Sequence, residues 1–114
     1  MASGLYGITF LNALKNTLAL DLDSDTIKIM LVTSSYTPDF GAHDFKADVT
    51  NEVSGTNYTA GGNTLSSLAL TQTGGTIKFD AADTSWSSAT ITDARGAVIY
   101  DDSLTDDPLI AYID

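Results

Sequence analysis

The clearest strand pattern along the chain lies at residues 26–33, TIKIMLVT. Ile27, Ile29 and Leu31 fall on one face, and Met30 and Val32 fall on the other with Lys28. A period of two predicts a strand, and apolar residues on both faces predict a central one. The same period returns at 76–81, where Ile77, Phe79 and Ala81 share a face directed inward. Gly74-Gly75 before it reads as a hairpin turn, with 64–71 as the preceding strand carrying Leu65, Leu68 and Leu70. Ile91 and then 94–100 form a further strand, with Val98 and Tyr100 on one face and Ala97 and Ile99 on the other. Residues 101–108 read as a solvated acidic loop, and 109–113 as the final strand. Helical spacing dominates only at 5–18: Phe10, Leu11, Leu14 and Leu18 line one side against Asn12, Lys15 and Asn16, with Ser3 as N-cap. The segment 34–64 has no strong period. There Pro38-Asp39 opens a turn, Asp39 is placed to cap a short helix reaching Ala47, and 48–53 reads as a second short helix.

These elements predict a mainly β chain, a small antiparallel β-sandwich or barrel with an N-terminal helix and short helices in the middle loop. Residues 1–20 are expected to be an N-terminal helix or arm, and 21–114 a single β-rich domain. Composition agrees: 27 of the 114 residues are Ser or Thr, and 14 of the 15 acids are Asp, a residue of turns and caps and not of helix interiors.

Charge narrows the partners. Fifteen acids against five bases give −10, and the five bases stand singly along the chain. Duplex nucleic acid requires clustered Lys and Arg, and an anionic membrane surface is equally disfavoured. No apolar run approaches the length of a membrane span. The N-terminal residues lack a basic stretch, so no export signal is expected. With no cysteine, thiol catalysis, disulfides and cysteine-metal sites are excluded.

The residues that suggest chemistry have simpler readings. Asp21, Asp23 and Asp25 have the D-x-D-x-D opening of a calcium loop. However, the sixth and twelfth positions, which need Gly and Glu, are Thr26 and Val32. Turn-forming Asp is the better account, both there and at Asp101, Asp102, Asp106 and Asp107. The single histidine, His43, has Asp39, Asp44 and Asp48 nearby, but no G-x-S-x-G elbow accompanies it, so it reads as structural. Gly61-Gly62 and Gly74-Gly75 lack the Lys-Ser/Thr of a phosphate loop. Tyr36, Tyr58, Trp86, Tyr100 and Tyr112 have no basic neighbours for a nucleic-acid platform, and packing is their expected role. No catalytic residue, metal or cofactor is expected.

Three runs carry a resemblance: 21–32 (DLDSDTIKIMLV), 43–62 (HDFKADVTNEVSGTNYTAGG) and 93–113 (DARGAVIYDD through PLIAYID). In this order they resemble small virion structural proteins of tailed bacteriophages. The resemblance implies a non-enzymatic particle component made in the bacterial cytoplasm and located in the virion. A capsid decoration (cement) protein leads, bound to the major capsid protein or other virion subunits as a homo-oligomer. The rivals are a head–tail connector or minor tail subunit and a virion-surface carbohydrate-binding module. Expected partner contacts are Leu5, Tyr6 and Phe10 in the N-terminal segment and Tyr36, Phe40 and Tyr58 in the middle.

Overall fold

The structure is a computed structural model that describes residues 2–114. Its frame is three antiparallel strands in the order β9-β8-β2: β2 (Ile27–Thr33), β8 (Ala94–Asp101) and β9 (Leu109–Ile113). All three are strands that the period of two predicts. Ile29 lies opposite Ile99, Met30 opposite Val98, and Val98 opposite Tyr112, so like faces meet across the sheet.

Short segments from distant parts of the chain cover both outer edges of this frame. On the β9 side, β1 (Gly4–Leu5) pairs with Tyr112 and Ala111, and the Tyr6 N–H continues the ladder to the Ile110 carbonyl. Beyond it, Lys46 N–H donates to Asp107 and Leu109 N–H to Asp44. On the β2 side, β4 (Asn63–Thr64) pairs with Ile29 and Lys28, and Val53 N–H donates to Leu31. Covered edges leave little free backbone to template further pairing. Two small ribbons complete the fold: β3 (Gly55–Thr56) with β7 (Thr90–Ile91), and the hairpin of β5 (Ala69–Thr73) and β6 (Thr76–Asp80). The chain is thus mainly β with antiparallel sheets and one α-helix among the described residues, and the sheet does not close into a barrel.

The expected 5–18 helix is shorter, α1 (Gly7–Leu14). Residues 4–6 are drawn into the sheet, so Tyr6 stands at the N-cap and Ser3 Oγ accepts instead from Asp114 N–H. At the other end Asn16 turns left-handed (φ 60°). Thr17 N–H then reaches Asn12 and Asn16 N–H reaches Ala13, a Schellman stop that the amide residue permits. The two short helices expected in the middle loop are replaced by one 3-10 turn, Lys46–Asp48. Asp39 caps no helix, because its Oδ1 accepts from Gly41 N–H in a local turn. Residues 52–53 run alongside β2 with Val53 in the interior, after Asn51 turns left-handed (φ 62°). The strand expected at 64–71 is broken at Ser67 (φ 54°), which divides it between β4 and β5. The hairpin turn holds as read: Gly74 and Gly75 have φ 57° and 85°, the pair of positive angles that a tight two-residue loop needs.

The two sheet faces bury two apolar clusters. On one face Met30, Val32, Val98, Tyr100 and Tyr112 pack with Tyr6 and Tyr36, under Phe40 and Val49 of the middle segment. On the other, Ile27, Ile99, Ile110 and Ala111 pack with Leu22, Phe10, Leu65, Leu68 and Phe79. In the first cluster the Tyr112 ring lies on Gly96, where any Cβ would collide with it. The Tyr112 hydroxyl is buried without a hydrogen-bond partner among the described residues. A buried hydroxyl that gains no bond costs stability, so Tyr112→Phe is expected to raise it by about 1 kcal/mol. Urea unfolding should show a higher midpoint at unchanged slope, whereas a lower midpoint would mean that the hydroxyl has a partner.

Candidate functional site

The second sheet face is only partly covered, and its open part is the candidate site. Its floor is Ile99, Ile110 and Ala111 of the sheet with Leu22 from the acidic turn. One wall is Leu5 and Phe10, from β1 and α1, and the other is Leu70, Ile77 and Phe79 of the β5–β6 hairpin. The groove between them has a volume of about 480 Å³. Register explains the second wall. Leu70 lies opposite Phe79 and Gln72 opposite Ile77, so one hairpin face carries the apolar residues and the other carries Thr71, Lys78 and Asp80. Ile77, read from the sequence as inward, points toward this groove and stays 73% exposed. Leu14 follows Phe10 by one helical turn and is 87% exposed, extending the apolar ridge. With Leu5, Leu11 and Leu70 also exposed, β1, α1 and the hairpin present five large apolar side chains to solvent.

The six expected contact residues separate by burial. Leu5 is exposed, and Phe10 is half-buried at the groove. Phe40 and Tyr58 are half-buried elsewhere: Phe40 packs edge-on against Tyr6, and Tyr58 faces Trp86 at 5.8 Å between ring centres. Tyr6 and Tyr36 lie wholly inside and offer no outer contact. Their hydroxyls bond at 2.8 Å, and Tyr36 continues to His43 Nδ1 at 3.0 Å. The same nitrogen accepts from Asp39 N–H. It therefore carries no proton, so Tyr36 donates to His43 and Tyr6 donates to Tyr36. Burial and this donated bond raise the Tyr6 phenol well above its ordinary range. His43 thus terminates a buried hydrogen-bond chain that ties the N-terminal segment to the middle loop. Tyr100 and Tyr112 are also interior, so the five aromatics form no shared platform.

The acidic groups have structural partners as well. Asp21 N–H donates to Asp25 Oδ2, and the Asp21 carbonyl accepts from Ser24 and Asp25 N–H, closing the turn before β2. Asp48 Oδ2 accepts from Asp44 and Phe45 N–H, bonds that hold its carboxyl low, while partial burial and Asp48 raise Asp44. Glu52 Oε2 accepts from Tyr58 and from Gly61 N–H, both at 2.7 Å, pinning the Gly61-Gly62 turn to β2. Gly62 (φ 78°) sits so close to the Ile29 carbonyl that a Cβ has no room. That glycine pair therefore serves close packing. Asp101 corrects the reading of a solvated 101–108 loop: it is fully buried at the end of β8, with Oδ1 accepting from Ser103 N–H. Burial, then the Asp25 carboxyl beside it, push its pKa up to about 7. Among the described residues, no group of three or more His, Asp or Glu side chains is placed to hold a metal ion.

A signal for the groove exists in the sequence. No charged side chain occurs in residues 53–77, and none in 2–14. In a chain of net charge −10, two uncharged stretches holding Leu5, Leu11, Leu14, Leu70 and Ile77 mark surface that is not arranged for water. Comparison with protein-family models, curated proteins and solved structures gives no match.

Proposed function

We propose that this chain is a non-enzymatic bacteriophage virion structural protein, a capsid decoration (cement) protein that bridges and stabilises capsid subunits. The open apolar face carries the reading. A small domain whose central sheet has covered edges exposes an apolar groove although the chain carries a net charge of −10, as suits a part that works by contact. In this reading the β5–β6 hairpin begins the second layer of a small sandwich left open on one side. The three runs that resemble phage structural proteins support it further, since they supply the turn into β2, the middle segment and the β8–β9 pair. The mechanism is mass action: a protein that binds only the assembled shell stabilises it, and many attached copies add avidity.

Adding the purified protein to particles that lack it is expected to raise the temperature at which they release their contents. Cryo-electron microscopy of the particle is expected to place hundreds of copies on the head. About a dozen copies at the neck would instead identify a connector, and absence from purified virions would overturn the structural role.

A further inference from the structure

The apolar groove needs an occupant, and the charge distribution selects one. We infer that a second copy of this chain packs on the face formed by α1 and the β5–β6 hairpin, with the acidic surfaces of both copies turned away from the contact. The elements of this face are almost uncharged. Residues 2–20 contain only Lys15, and residues 53–80 contain only Lys78 and Asp80, which lie 3.8 Å apart as an exposed ion pair on the outer face of the hairpin. The remaining fourteen acids and three bases belong to the rest of the chain. Among the described residues, no charged side chain lines the groove, and Leu22 brings in the edge of the acidic 21–25 turn.

Two copies of a chain this acidic repel in most orientations, and packing face to face through the neutral patch is the approach that keeps like charges apart. A basic partner would instead be met by an acidic rim, which these elements do not supply. The hairpin gives a second reason. Each residue of β5 is exposed, and in β6 only Phe79 is half-buried. A two-stranded ribbon that reaches the core mainly through Phe79 is marginal alone, and a neighbour resting on Leu70 and Ile77 supplies the missing packing.

This inference rests on the reading of the face as a contact surface, and it is tested in solution without particles. Sedimentation equilibrium of the full chain from micromolar to submillimolar concentration is expected to show a species of at least twice the 12.0 kDa chain mass. Salt gives a diagnostic sign. Screening relieves repulsion between acidic copies, so association should strengthen as salt rises. Leu14→Asp and Ile77→Asp are each expected to weaken association by more than about tenfold, since each drives a carboxylate into the apolar contact. Leu14 is so exposed that, at a concentration where both proteins are monomeric, its variant should melt within a few degrees of wild type, which guards against misfolding as the cause. A wild type that stays monomeric throughout, association that weakens with salt, or unchanged association in both variants would overturn the inference. A monomer that still binds particles would remove self-association and leave the virion reading standing.

Discussion

Replacing Tyr6 by Ala is expected to bring the domain close to global unfolding, with a loss of about 4–6 kcal/mol. Truncating a buried aromatic to Ala costs about 3–5 kcal/mol in lost burial and residual cavity. Tyr6 is fully buried, packed edge-on to Phe40 and clustered with Met30, Val98 and Tyr112. The substitution also removes the donor to Tyr36 in a buried hydrogen-bond chain, adding about 1 kcal/mol. A domain of this size has roughly 5–15 kcal/mol in total, so most of the lower figure would be spent. Tyr6→Phe keeps the ring and is expected to cost only about 1 kcal/mol. Urea unfolding followed by circular dichroism separates the two. If Tyr6→Ala melted near wild type, the N-terminal segment would be a peripheral arm. Deleting residues 2–6 should be at least as damaging, because it also removes the β1 pairing with β9.

That expectation follows from residues 4–6 joining the sheet, a contact that crosses the division read at residue 20, and the reason is physical. The partners of Gly4 and Leu5 are Tyr112 and Ala111, at the other end of the chain, and no local pattern encodes a contact of that span. The β2, β8 and β9 strands were legible because the requirement that one face meet one core repeats every second residue, as with Met30, Val98 and Tyr112. The Gly74-Gly75 turn was legible because it depends on two adjacent residues alone. Tertiary pairing overrode local preference in the middle loop, where 51–53 are held against β2. Alternation found the right face of the hairpin, with Ile77 and Phe79 together. It did not reveal that the face opposite them is left partly empty, because alternation reports that a side is apolar and not what lies across from it.

Asp101 was the least legible residue, since an Asp followed by Asp102 looks like surface, and it carries the second large expectation. Stability is expected to rise as pH falls from about 8 to about 4, the reverse of ordinary acid denaturation. The Asp101 carboxyl is fully buried, its Oδ2 finds no donor among the described residues, and Asp25 stands beside it. A proton shared with Asp25 relieves both problems, so the folded state holds that proton up to a pKa of about 7, against 3.8 for an unperturbed Asp. A raised folded pKa means that the folded state binds more protons than the unfolded state between these values. The contribution is therefore fully present below about pH 4 and is lost as pH rises through 7, a change of about 2–4 kcal/mol. Relief of general acidic repulsion acts in the same direction, so the mutant and not the slope alone is diagnostic. Asp101→Asn keeps the acceptor for Ser103 N–H and offers Asp25 an amide donor in place of the proton. The variant should match wild type near pH 4 and exceed it by about 2–4 kcal/mol near pH 8, with most of the pH dependence gone. Parallel pH profiles for the two proteins would show that Asp101 is ionised without penalty in the fold. In that case the pressure of Asp25 on it would have to be relieved by some other group.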